Sequence, residues 1–231
     1  MSEADTTIWD YVVTYGGPSL FMTAVFVVVL PLVWFKLARP RLRRWPSRLA
    51  LMLAVWIAAW LIAYGDVLMI AREAKRVCEA EAGLRVYRTV EVEGFAGTND
   101  IRKWSEYGFR FVENQDQSGD VRRYEMVEGH VVVTSGVELR SKYQYKPTTS
   151  VLPYGIVRRA EQVRGINTNE LLGERVMFGL PAGWVDSQFV DKLGFRRTPV
   201  WCVSKTVVTS EASSFPYGEV VEKSLRARNP R

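Results

Sequence analysis

The chain has 231 residues, 48% of them hydrophobic, enough for one domain of ordinary size beside a substantial apolar segment. Its formal charge of +6 would suit a nucleic-acid binder, but the excess is concentrated in one place: Lys36, Arg39, Arg41, Arg43, Arg44 and Arg48 occur with no acid among them, while residues 72–231 carry a nearly balanced 25 basic and 21 acidic side chains. That distribution argues against a nucleic-acid surface and for a membrane-topology signal.

The first 18 residues read as an acidic tail with Glu3, Asp5 and Asp10. A cleavable signal peptide opens with basic residues, so this start is not one. Residues Tyr11–Phe35 and Leu49–Gly65 contain no charged side chain. A bilayer core is crossed by about 20 apolar residues in a helix, and short loops rich in Lys and Arg stay on the cytoplasmic side. The expectation is a two-helix transmembrane hairpin over residues 19–71, with a cytoplasmic loop at 36–48 and both chain ends on the far side. Trp9, Tyr11 and Tyr15, then Trp34 and Trp45, then Tyr64 fall where interfacial aromatic belts would lie. Asp66 follows the second charge-free run and is expected at the membrane boundary, in contact with water rather than in a proton relay. Residues 71–82 (AREAKRVCEAEA) have helical composition and should continue the second helix outward.

From Gly83 the pattern changes to short runs rich in β-branched and aromatic residues, separated by turn residues. Strands are expected near 84–92, 109–113, 122–127, 130–134, 137–145, 155–163, 174–180 and 201–209. A short helix capped by Asp100 should cover 100–107, and another 187–193. The fold class is therefore α+β: the hairpin, then a β-rich, mainly antiparallel extracytoplasmic domain over 72–225, closed by a basic tail at 226–231.

The only cysteines are Cys78 and Cys202. On the expected topology both face an oxidising compartment, where disulfides persist. A bond between them would close a loop of about 125 residues, worth roughly 5 kcal/mol in the chain-entropy model. The alternative is two buried free thiols.

Signals of catalysis are sparse. The single histidine, His130, cannot build a zinc site that needs about three protein ligands, and no nucleophile elbow, Walker or dinucleotide fingerprint occurs. No cofactor or metal is expected. A carboxylate pair of the glycosidase kind leaves no local pattern, so an envelope-acting hydrolase or cell-wall binder stands as the alternative to a non-enzymatic binding domain. Among the aromatic residues, Trp184 follows the turn Pro181–Gly183 and is the candidate for a partner contact. Trp104, Tyr107, Phe109 and Phe111 read as core.

The segment from Cys78 through Gly83, Val86 and Tyr87 (CEAEAGLRVY) resembles a motif of uncharacterised proteobacterial membrane-anchored proteins, in which a Cys precedes a Gly-x-x-Val-Tyr strand. The segments Gly108–Glu113 and Asn169–Glu174, with the late Cys202, are similar to theirs as well. The resemblance covers about residues 78–202. It implies a bacterial origin and an exported, disulfide-bearing domain, and it implies no activity. With it, the expectation becomes a bacterial inner-membrane protein whose tail and domain are periplasmic. Its partners would be the lipid bilayer and another envelope protein, in an immunity, exclusion or envelope-complex role, and its oligomeric state is open.

Overall fold

The computed structural model describes residues 31–32, 45–116, 118–183, 200–203, 206–209 and 218–228. Helix α1 runs from Trp45 to Glu81, 37 residues without a break. Its C-terminal part is amphipathic. Val67, Ile70, Ala71, Ala74, Val77 and Cys78 recur at three- and four-residue steps and are buried, while Arg72, Lys75, Arg76 and Glu79 face water. The buried stripe lies against Ala160, Val176, Phe178, Leu180, Val200 and Cys202 of the sheet.

This corrects the expected transmembrane hairpin. Among the described residues no helix is long and apolar enough to cross a membrane. The physical reason is visible in α1: the end of the expected second span, Val67 and Ile70, is packed into a protein core instead of facing lipid, and charged residues begin at Asp66. Apart from Pro31 and Leu32, the expected first span lies outside the described residues, as do the tail 1–18 and Lys36, Arg39, Arg41, Arg43 and Arg44.

After α1 come β1 (Gly83–Val86), β2 (Val90–Val92), β3 (Gly94–Ala96), α2 (Ile101–Glu106), β4 (Phe111–Gln115), β5 (Val121–Val127) and β6 (His130–Ser135). They are followed by β7 (Tyr143–Val151), β8 (Val157–Gly165), β9 (Leu171–Leu180), β10 (Val200–Val203), β11 (Thr206–Thr209), α3 (Glu219–Ser224) and β12 (Leu225–Ala227). Ten strands form one sheet in the order β11-β10-β9-β8-β7-β3-β4-β5-β6, with β1 also paired to β9. β1 takes residues 173–176 of β9 and β10 takes 177–180, so two strands share one edge of a long one.

Pairing is antiparallel, as the short strands and frequent turns imply, except at three places. β3 is parallel to β4 and to β7, and β12 pairs in parallel with β2 in a separate two-stranded sheet. Residues 226–227, expected in a tail, thus belong to β12, and the Arg228 amide donates to the Val92 carbonyl. The short helix expected at 100–107 is α2, with the Asp100 carboxylate accepting from the Lys103 amide at 3.3 Å. The helix expected at 187–193 lies outside the described residues.

A second core holds Phe95, Ile101, Trp104, Phe109, Tyr145, Leu172 and the apolar residues of α3. Phe95 meets both Trp104 and Phe109 edge-on with ring centroids 5.1 Å apart, the arrangement aromatic quadrupoles favour.

Candidate functional site

The sheet is weakest as a continuous surface where it turns parallel. β3 joins β7 through a single residue pair, Ala96 with Gln144. Upstream of that pair the two chains separate, and a groove of about 350 Å³ opens between them, lined by Glu91, Glu93, Phe111, Arg140, Lys142 and Arg228 among others. That volume falls within the roughly 300–1,000 Å³ of ligand sites.

One wall is built by a buried acid. Glu113, in β4, is fully enclosed. Its Oε1 accepts from Arg123 Nε at 2.9 Å and Nη2 at 2.8 Å. Its Oε2 accepts from the Ser141 amide at 2.8 Å and the Ser141 hydroxyl at 2.5 Å, and the Arg140 amide donates to both oxygens. Burial alone would push this carboxyl up, but the bonds from the Ser141 hydroxyl, Arg123 and the two amides outweigh it and hold it below the ordinary value of 4.5. The consequence is positional. Glu113 pins the backbone of residues 140–141, and that segment delivers Arg140 and Lys142 to the groove.

The floor is aromatic. The Arg123 and Arg140 guanidiniums lie 5.4 and 5.3 Å from the centroid of the Phe111 ring. Gly94 lets that ring lie against the backbone, since a Cβ there would sit 2.7 Å from Phe111 Cδ2. Arg140 also holds Glu93 at 2.6 Å, and Arg110 approaches the same carboxylate at 4.0 Å. Glu91 and Glu93 both line the groove, but Glu93 is committed to these guanidiniums. The Lys142 ammonium and the Arg228 guanidinium have no carboxylate partner among the described residues. The free charge of the groove is therefore cationic, offset by the exposed Glu91.

The residues singled out from sequence lie elsewhere. Cys78 and Cys202 form a disulfide that joins α1 to β10 inside the first core. Asp66 is half-buried on α1, its Oδ1 accepting from the Val67 amide at 2.8 Å, beside the turn at Gly183. Trp184 lies outside the described residues, and Arg48 falls within the first turn of α1. His130 is exposed at the start of β6. Among the described residues no three His, Cys, Asp or Glu side chains group as a metal site needs.

The groove residues went unnoticed in the sequence because they are scattered over four segments. The one available signal was Glu113, an acid closing an apolar strand (GFRFVE) where alternation puts a side chain inward. No family model matches the chain, and no curated protein or solved structure is significantly similar to it.

Proposed function

We propose that this chain is an extracytoplasmic binding domain whose groove takes an extended, acidic segment of another protein. The observation that carries this reading is the pair of unpartnered cations, Lys142 and Arg228, flanking an open groove where Glu93 is already neutralised by Arg140. An acidic strand laid between the β2/β12 pair and the start of β7 would meet both cations and the Phe111 floor. The Cys78–Cys202 disulfide supports an oxidising compartment, because such bonds are rare where thiols are kept reduced. A partner in the cell envelope fits that compartment.

The test uses a short fluorescein-labelled peptide alternating Glu and Val, with its Lys/Val counterpart as control. Anisotropy should report binding of the acidic peptide alone, weakening as salt rises because exposed charges are screened. The double variant Lys142→Glu/Arg228→Glu should lose binding at least tenfold with an unchanged unfolding midpoint, since neither side chain holds the fold. Equal binding by parent and variant would sink the assignment.

A further inference from the structure

We infer that the β6 edge is a two-fold self-association surface, through which two copies of this chain join their sheets. The sheet order ends at β6, so among the described residues His130–Ser135 pairs with β5 alone. Natural edge strands are guarded by charge, proline or a bulge. β6 reads HVVVTS, with no Lys, Arg, Asp, Glu or Pro, and its register with β5 is unbroken over six pairs. Val132 and Val133 are 42% and 50% exposed. An uncharged, regular, β-branched edge is a template for another strand.

The occupant follows from symmetry and charge. An antiparallel copy related by a two-fold axis normal to the sheet keeps like faces together, so paired positions must share parity. The hairpin turn Glu128-Gly129 has positive φ at both residues, 51° and 82°, the type I′ geometry of a two-residue loop. In such a hairpin the closing pair, Val127 with His130, is hydrogen-bonded. His130, Val132 and Thr134 then aim their backbone groups at β5, while Val131 and Val133 turn theirs outward. A two-fold through Val132 therefore sets Val131 opposite the second copy's Val133, twice, as hydrogen-bonded pairs, with Val132 facing itself.

That register also satisfies charge. It brings the Glu128 turn of each copy alongside Ser135 and Gly136 of the other, one strand away from Arg122, which pairs with Ser135 from β5. Glu128 and Arg122 are both exposed, and among the described residues neither makes a salt bridge within 4 Å, Arg122 acting only at longer range on Asp116. Like surfaces thus present complementary charges to each other, as an isologous contact requires.

The experiment is cysteine crosslinking and sedimentation of the full chain at micromolar concentration. Val132→Cys should form a reductant-sensitive dimer, because a non-hydrogen-bonded pair sets its Cα atoms about 4.5 Å apart, within disulfide reach. Val133→Cys should crosslink far less, since it faces Val131. In the otherwise native chain, Arg122→Glu should raise the dimer dissociation constant about tenfold, and Arg122→Glu/Glu128→Arg should restore it. A parent chain that sediments as a monomer, equal crosslinking at both positions, or no rescue by the charge swap would each overturn the proposal.

Discussion

Cys78, near the end of α1, is bonded to Cys202 in β10, with their Cα atoms 6.0 Å apart and a sequence separation of 124. Both are buried in the core that α1 makes with β8, β9 and β10. The bond fixes the helix to β10, one strand in from the β11 edge, and the end of α1 also accepts hydrogen bonds from Arg158 of β8 at the Glu81 carboxylate (3.1 Å) and from Arg85 of β1 at the Ala80 carbonyl (3.0 Å).

The first prediction follows from that geometry. Cys78→Ser or Cys202→Ser should destabilise the domain by about 2–5 kcal/mol, the range for loss of a native disulfide. The double variant should cost no more than the worse single one, because one bond is lost in every case and the sites are coupled. Urea midpoints check this, and alkylation with and without reductant checks the bond. Free thiols in the unreduced native chain would refute it.

Much of the sheet was legible because its strands announce themselves by composition. His130–Ser135 is rich in β-branched residues and Val121–Val127 mixes Val, Tyr and Met with charged residues, the two separated by the turn Glu128-Gly129, and both lie within a residue or two of expectation. β7 was misplaced, expected at 137–145 and found at Tyr143–Val151, because KPTTS is polar and contains Pro147. Its pairing with β8 over nine residues overrides that weak local signal. β3, three residues long and wholly buried, is too short to show a period. The hairpin expectation rested on apolar runs, a basic loop and aromatic belts, and none of these distinguishes a helix face that meets lipid from one that meets a sheet. The groove was not legible, since Arg140, Lys142 and Arg228 converge only through the parallel pairings of β3 with β7 and of β12 with β2.

A second prediction concerns that joint. Gly97 follows β3 with φ +103°, its amide donating to the Glu113 carbonyl at 2.7 Å, and a Cβ there would run into the Tyr145 carbonyl. Gly129 in the β5–β6 turn has φ +82° but open space around it. Gly129→Ala should therefore cost only the left-handed penalty, about 1–2 kcal/mol. Gly97→Ala adds a backbone collision and should cost clearly more, about 3 kcal/mol or above. Equal losses in paired denaturation curves would show that β3 and β7 do not approach as closely as described.

The third prediction tests Glu113 as the anchor of the groove wall. Removing one partner of a buried charge pair costs about 3–5 kcal/mol, so Glu113→Ala should lower stability by that order at neutral pH. Glu113→Gln keeps the shape but loses the charge that Arg123 faces at 2.8 Å. Because the folded carboxyl titrates below the ordinary 4.5, the parent's contribution is fully present above that value. It is lost as pH falls through the lower folded value, where the parent takes up the proton it had excluded. The gap between parent and Glu113→Gln should therefore be widest near neutrality and close in acid. Urea midpoints followed from roughly pH 7 to pH 3 measure it. A gap independent of pH would mean that the carboxylate charge contributes nothing, and that the Ser141 and Arg140 amides hold the wall without it.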